Sequence, residues 1–249
     1  MSGHSKWSQI KHKKAITDAK KGQIFTKLAN AITIAAREGG DPETNFKLKT
    51  AIEKARSFNM PSENIERAIK RGTGEMQGAA INEAIYEAIG PAGTAFLIKT
   101  ISDNKNRTLG EIRQILSRFG GKLAEGGVKH LFIPKGVITV ETKELLPEEK
   151  ETIELKIIDA GAEDFEEEEK MITIYTKPEE LSQIKKNLEE QNIKTTQAEI
   201  SLEPKMVMKI ENEDEVKKVL ALMEALDECQ DVIAVYANFD ISQKIMENS

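Results

Sequence analysis

Apolar positions change their period along the chain, and the changes divide it into regions. Residues 1–14 show no hydrophobic period; dense in Lys and polar groups, they read as an extended arm. Beyond them Ile24, Leu28, Ala31 and Ala35 share one helical stripe, with Phe25 and Ile32 beside it. Gly39-Gly40 is expected to end that helix, because glycine tolerates the left-handed backbone of a C-terminal cap. Asp41-Pro42 predicts a second start: Asp caps free N–H groups, and Pro loses nothing at the first helical position. Leu48, Ile52 and Ala55 form its stripe. Pro61 opens a third helix, with Ile65 and Ile69 inward and Gly72 and Gly74 as its stop. Residues 17–72 therefore predict a three-helix unit.

The pattern then turns to strands. Ala84–Ile89 and Thr94–Ile101 predict a hairpin closed by the turn-forming run Gly90-Pro91-Ala92-Gly93. A helix over 107–119 buries Leu109, Ile112, Leu116 and Phe119; Thr108 and Glu111 fit a capping box, and Gly120 ends it. Val128–Ile133 reads as a strand closed by Pro134. Next come a strand at Val137–Glu141, a helix at Pro147–Ala160, strands at Glu163–Glu169 and Met171–Thr176, a helix at Pro178–Gln191 and a strand at Thr195–Leu202. That β-α-β-β-α-β order is the split, ferredoxin-like unit. After Pro204 a helix starts near Asn212, with Glu215 as capping partner and Val216, Val219, Leu220, Met223 and Leu226 as its stripe; Asp231–Asn238 is a final strand.

One helix and one strand cannot bury a core alone. The β-β-α-β of residues 79–134 lacks a helix and a strand, so the C-terminal pair is expected to complete it. The expected class is α+β and multidomain: an N-terminal three-helix domain plus two α/β domains, one ferredoxin-like and inserted in the other. The boundaries read as 1–78 for the basic arm and helical domain, 79–134 with 205–249 for the discontinuous α/β domain, and 135–203 for the insert. The alternative is a linear string with a detached C-terminal hairpin.

Charge changes this picture. The 249-residue chain carries 36 Lys+Arg and 42 Asp+Glu, a net −6. Residues 1–75 hold 15 Lys+Arg against 8 Asp+Glu, a local +7; the remainder carries −13. No apolar run approaches the roughly 18–20 residues a membrane helix needs, and the N-terminus lacks the apolar stretch of a signal peptide. The single cysteine, Cys229, excludes an intramolecular disulfide and a Cys-based metal site, and reads as a small filler near a helix end. The expectation is a cytoplasmic protein without a membrane partner. Its loading with Glu and Lys resembles thermophile composition.

Most enzymatic motifs are absent. Gly72-Thr73-Gly74-Glu75-Met76-Gln77-Gly78 has Gln where a dinucleotide loop needs Gly, and it follows a helix rather than a strand; it reads as helix stop and linker. His4, His12 and His130 have no partners at metal-ligand spacing, Glu166–Glu169 reads as a solvated edge, and nothing resembles a nucleophile elbow. Neither a catalytic residue nor a metal or cofactor is expected.

The arm points instead to nucleic acid. Lys6, Lys11, Lys13 and Lys14 lie within nine residues, interleaved with His4, His12 and Trp7, the only Trp. Lysines neutralise phosphates and release counterions; an indole stacks on an unpaired base. Trp7 reads equally well as an apolar anchor for the arm. Lys20, Lys21, Lys27, Lys47, Lys49, Lys54 and Arg56 extend the basic surface as a mixture of solvated and contacting charges, and Arg67, Lys70 and Arg71 cluster on the third helix. Asp103-Asn104-Lys105-Asn106-Arg107-Thr108 has two readings: a turn that caps the following helix, or a second contact loop offering Lys105 and Arg107.

These residues also carry a resemblance. Gly3-His4-Ser5-Lys6-Trp7, Arg37-Glu38-Gly39-Gly40, Asn59-Met60-Pro61, Asn64-Ile65-Glu66-Arg67-Ala68-Ile69 and Asp103-Asn104…Asn106-Arg107-Thr108 resemble the YebC/PmpR family, which includes the mitochondrial translational activator of cytochrome c oxidase. The resemblance spans nearly the whole chain, with the acidic stretch 141–170 its less typical part. It implies one helical and two α/β domains, no catalysis and no cofactor. It implies a DNA-binding transcriptional regulator or, in the alternative, a ribosome-associated translation factor that binds ribosomal RNA through the same basic region. Target sequence and oligomeric state stay open.

Overall fold

The computed structural model describes residues 18–78, 80–142, 147–168 and 171–241. The chain divides into two compact units: residues up to Phe132 together with those from Pro204 onward, and Ile133–Glu203. Among the described residues no helix is long and apolar enough to cross a membrane.

The first unit begins with helix α1 (Asp18–Ala35), a 3₁₀ turn (Ala36–Glu38), α2 (Phe46–Ser57) and α3 (Ser62–Thr73). Leu28, Ile32, Leu48, Ile52, Ala55, Ile65 and Ala68 are buried together, so the predicted stripes face one core. Two local readings change. α2 starts at Phe46, not at Asp41-Pro42. The Asn45 amide donates to the Asp41 carbonyl (3.0 Å) to make a turn, and the Asn45 side chain then caps: its Oδ1 accepts from Leu48 N (3.0 Å), while its Nδ2 donates to the Ala35 and Gly39 carbonyls at 2.8 Å each. One buried amide thus closes two helix ends, which Asp, having no donor, could not do. Gly72 is not the stop either; it lies inside α3. A Cβ there would sit 2.5 Å from both Ala36 Cβ and the Thr33 carbonyl, so α1 and α3 cross too closely for any side chain. Gly74, at φ 84°, makes the left-handed cap.

Strand β1 (Asn82–Ile89) pairs antiparallel with β2 (Ala95–Ser102) in the register Asn82↔Ser102 to Ile89↔Ala95. Helix α4 (Lys105–Arg118) follows, then a two-residue strand β3 (Lys122–Leu123) that meets only Ala88 and Ile89 of β1. The expected Thr108–Glu111 capping box is replaced by Asn104, whose Oδ1 accepts from Arg107 N (3.1 Å); Thr108 is fully buried one turn further on. Lys129–Leu131 forms a 3₁₀ turn where a strand over Val128–Ile133 was expected.

At the start of the second unit, β4 (Phe132–Glu141) takes only the last two residues of the segment predicted at Val128–Ile133, runs on through Pro134 and includes the strand predicted at Val137–Glu141. Its pairing with β6 (Met171–Thr176) covers Gly136–Glu141, beyond Pro134, so the missing N–H removes no bond from that ladder. Helix α5 (Pro147–Asp159), strand β5 (Asp164–Glu168), helix α6 (Leu181–Glu190) and strand β7 (Gln197–Pro204) complete the unit. The sheet order β5-β6-β4-β7 is ferredoxin-like. Ile138, Val140, Ile157, Ile172, Ile174, Ile184 and Leu188 are buried in it.

The chain returns to the first unit where Lys205 N donates to the Leu131 carbonyl (2.8 Å). Strand β8 (Met208–Ile210), helix α7 (Glu213–Glu228), strand β9 (Val232–Ala237) and strand β10 (Phe239–Ile241) follow. Asn212 caps α7 as expected, its Oδ1 accepting from Asp214 N and Glu215 N. β9 pairs antiparallel with β2, giving the sheet β3-β1-β2-β9, while β8 and β10 form a small parallel pair. Val216, Val219, Leu222, Met223 and Leu226 of α7 share one core with Phe96, Ile98, Ile112 and Leu116, so the helix and strand after the insert close the sheet that precedes it. Cys229 is buried at the end of α7; burial pushes its thiol pKa up.

Candidate nucleic-acid interface

Helix α3 turns Ile65 and Ala68 inward, and that spacing fixes where its cations point. Arg67 and Lys70, three residues apart, are exposed. Arg71 is half-buried: a Cβ on Gly78 would lie 2.7 Å from Arg71 Nε, so the guanidinium stem lies across the linker backbone. Among the described residues, none of these three side chains has an ion-pair or hydrogen-bond partner. Neighbouring cations differ. Lys47 pairs with Glu38 (2.6 Å), Lys49 sits 3.9 Å from Glu43, and the Lys27 ammonium donates to the Asp227 carbonyl at the end of α7. Lys20 and Lys21 lie in the first turn of α1, and Lys21 is exposed. His4, Lys6, Trp7, Lys11, His12, Lys13 and Lys14 lie outside the described residues, so both readings of Trp7 stand as they were.

The loop before α4 is built differently. Lys105 is exposed, with no side-chain partner among the described residues. The Arg107 guanidinium donates to Asp231 Oδ2 (2.9 Å) and Asp103 Oδ1 (3.0 Å). Asp231 Oδ2 also accepts from the Ser102 hydroxyl (2.9 Å) and lies 2.6 Å from the Thr108 hydroxyl, while Asn104 N donates to Ser102 Oγ (3.0 Å). Burial raises the Asp231 pKa, but the hydrogen bonds from Thr108, Arg107 and Ser102, with the Arg107 charge, outweigh it and hold the carboxyl below its ordinary value. Bonding to Asp231 raises Arg107 in turn. The turn-and-cap reading thus describes Asn104, Arg107 and Thr108, while Lys105 is exposed beside them.

Asp231 is the residue that local sequence patterns pass over. It stands 124 positions from Arg107, and only the pairing of β9 with β2 brings it beneath the loop. Arg37 is similar: its Nη2 donates to the Ile81 carbonyl (2.7 Å), tying the helical segment to the start of β1. In the acidic run Glu167 pairs with Lys150 (2.8 Å) and Glu166 accepts from the Tyr175 hydroxyl (3.1 Å). Among the described residues no group of three or more His, Cys, Asp or Glu is placed to hold a metal.

Comparison with known proteins covers this whole arrangement. Residues 5–75 match the model of the TACO1/YebC protein N-terminal domain, and residues 81–239 that of the TACO1/YebC second and third domain. A protein of Halothermothrix orenii named probable transcriptional regulatory protein is 49% identical, with 99% of this chain and 98% of the relative covered. One of the same name from Persephonella marina is 48% identical over 99% of each. The crystal structure of a conserved hypothetical protein from Aquifex aeolicus superposes with a TM-score of 0.86 at 45% identity, covering 95% of this chain and 97% of that one.

Proposed function

The chain belongs to the TACO1/YebC family, and from that premise we propose that it is a non-enzymatic, nucleic-acid-binding regulator of gene expression acting on DNA. Residues 1–78, with Lys105 of the loop before α4, supply the phosphate contacts, and the two sheets with their helices shape specificity or partner contacts. The observation that carries this reading is the set of α3 cations that have no partner among the described residues, within a segment of charge +7 on a chain whose remainder carries −13. Unpaired surface cations lose no internal partner when they meet phosphate, and the acidic remainder disfavours contact away from the exposed cations. The relatives' name supports a regulatory role. The bonding of Arg107 to the buried Asp231 supports a structural rather than catalytic use of that pair.

The test is a duplex-DNA mobility shift across a salt series, run beside ribosome co-sedimentation. It compares the full chain, a variant lacking residues 1–14, and the pair Arg67→Glu with Lys70→Glu. Both changes are expected to weaken duplex binding and flatten its salt slope. Duplex binding that neither change affects refutes the assignment. Loss of co-sedimentation with duplex binding absent throughout moves the target to ribosomal RNA and the role to translation.

A further inference from the structure

β1 is bonded to β2 along its whole length but covered on its other edge only at the ends. Ala84, Tyr86 and Ala88 turn their main-chain groups to β2, as the Thr100 hydroxyl on the Ala84 carbonyl and the Gly90 N–Thr94 O bond indicate. The alternation then turns Ile81, Glu83, Ile85 and Glu87 to the other edge. There the Ile81 carbonyl is taken by Arg37, and the Glu87 carbonyl accepts from Ala124 N (2.8 Å). Between them the outward N–H and C=O groups of Glu83 and Ile85 have no partner among the described residues. β3 would cover them if it were longer, but it is two residues long and the chain leaves through Gly126-Gly127.

An open groove of about 640 Å³ runs along this gap. Tyr86 and the Ile85 main chain form one wall, and Leu109, Arg113 and Ser117, spaced by four on one face of α4, form the other; Lys122 stands at the β3 end. Ile85 is 37% exposed. Arg113 and Lys122 are exposed and have no side-chain partner among the described residues. Of the two carboxylates in the lining, Glu87 is held by the Val128 and Lys129 amides (2.6 and 2.8 Å), and Glu125 lies on the departing loop.

We propose that this edge is a docking site for an extended acidic peptide of a partner protein, added antiparallel to β1 in line with β3. Glu83 and Ile85 supply the main-chain bonds, the apolar wall takes alternate side chains, and Arg113 and Lys122 pair with acidic residues. A second copy of this chain fits poorly. An antiparallel β1–β1 pair centred on Ile85 sets Glu83 opposite Glu87, and like charges directly opposite destabilise a sheet.

The edge geometry offers a specific test. Ile85→Pro deletes one outward N–H, while the bonds to β2 run through Ala84 and Tyr86, so the fold keeps its ladder. An array of ten-residue peptides with Val at alternate positions, and Glu or Lys between, is titrated against the full chain by fluorescence anisotropy. The Glu peptides are expected to bind and the Lys peptides not to. Ile85→Pro is expected to weaken binding at least tenfold with an unchanged melting temperature, and Arg113→Glu with Lys122→Glu at least as much. The proposal falls if the Glu peptides do not bind, if the Lys peptides bind equally, or if Ile85→Pro binds like the parent. It falls also if single-stranded RNA occupies the groove with dependence on Arg113 but not on Ile85→Pro, which makes it a nucleic-acid site.

Discussion

On α3, Arg67 and Lys70 are exposed with no side-chain partner among the described residues, whereas in the loop before α4 Arg107 is bound by Asp103 and Asp231. In sequence the two stretches look alike, each a pair of cations among polar residues near a helix. They differ in what lies beneath. α3 presents Arg67 and Lys70 away from a core in which, among the described residues, no charged side chain is buried. The α4 loop closes over the end of β2, where β9 delivers a buried carboxylate. A cation's availability to an outside phosphate is therefore set by the neighbour that the fold assigns to it.

The sharpest way to break this contrast is Asp231→Ala. It leaves the buried Ser102 and Thr108 hydroxyls without their shared acceptor and releases Arg107. A loss of about 3 kcal/mol in urea unfolding is expected, with duplex binding per folded molecule unchanged or slightly stronger.

Arg67→Glu with Lys70→Glu should do the opposite. Stability stays within about 0.5 kcal/mol, as for surface changes away from packed features. Duplex affinity falls on the order of a hundredfold at low salt, and the salt slope drops by roughly two. A large loss of stability in the melting curve would show that these side chains are structural after all.

pH separates the two sites further. The Asp231 pKa is depressed in the fold, so its contribution is fully present above the ordinary carboxylate value of about 4 and is lost as pH falls through the folded value. The stability gap between the protein and Asp231→Asn is expected to be constant from about pH 6 to 7 and to shrink below about 4. The α3 variant should track the parent throughout that range.

The smallest effects divide the loop itself. Arg107→Ala is expected to lower stability by less than Asp231→Ala does, with no change in binding, because the buried Asp231 carboxylate loses its cation but keeps the Ser102 and Thr108 hydroxyls. Lys105→Ala is expected to leave stability alone and to weaken duplex binding about threefold, with the salt slope falling by about one. Exchange of these two outcomes would invert the assignment within the loop.

Much of the architecture was legible because it rests on periodicity. The stripes of Leu48, Ile52 and Ala55, and of Val216, Val219 and Leu226, are buried as the pattern requires, and the β-α-β-β-α-β run folds as a ferredoxin-like sheet. Local caps were less legible. Asp41-Pro42 and Thr108 both look like helix starts, yet Asn45 and Asn104 hold the caps. Asn45 wins because it also donates to the end of α1, a contact that exists only once two helices meet. Gly72 read as a stop because glycine ends helices; its use is to let α1 and α3 touch.

Legible along the chain alone are the alternation of helices and strands, the +7 and −13 division of charge, and the need for a returning helix and strand to finish the first sheet. Those follow from the spacing of apolar residues and from counting, and both act over a few turns of chain or over none. It took the folded chain to assign partners to the cations, to set Asp231 beneath Arg107, and to leave Glu83 and Ile85 without a main-chain partner among the described residues on the edge of β1. Each depends on contacts between residues far apart in the chain, and such contacts leave no periodic trace along it.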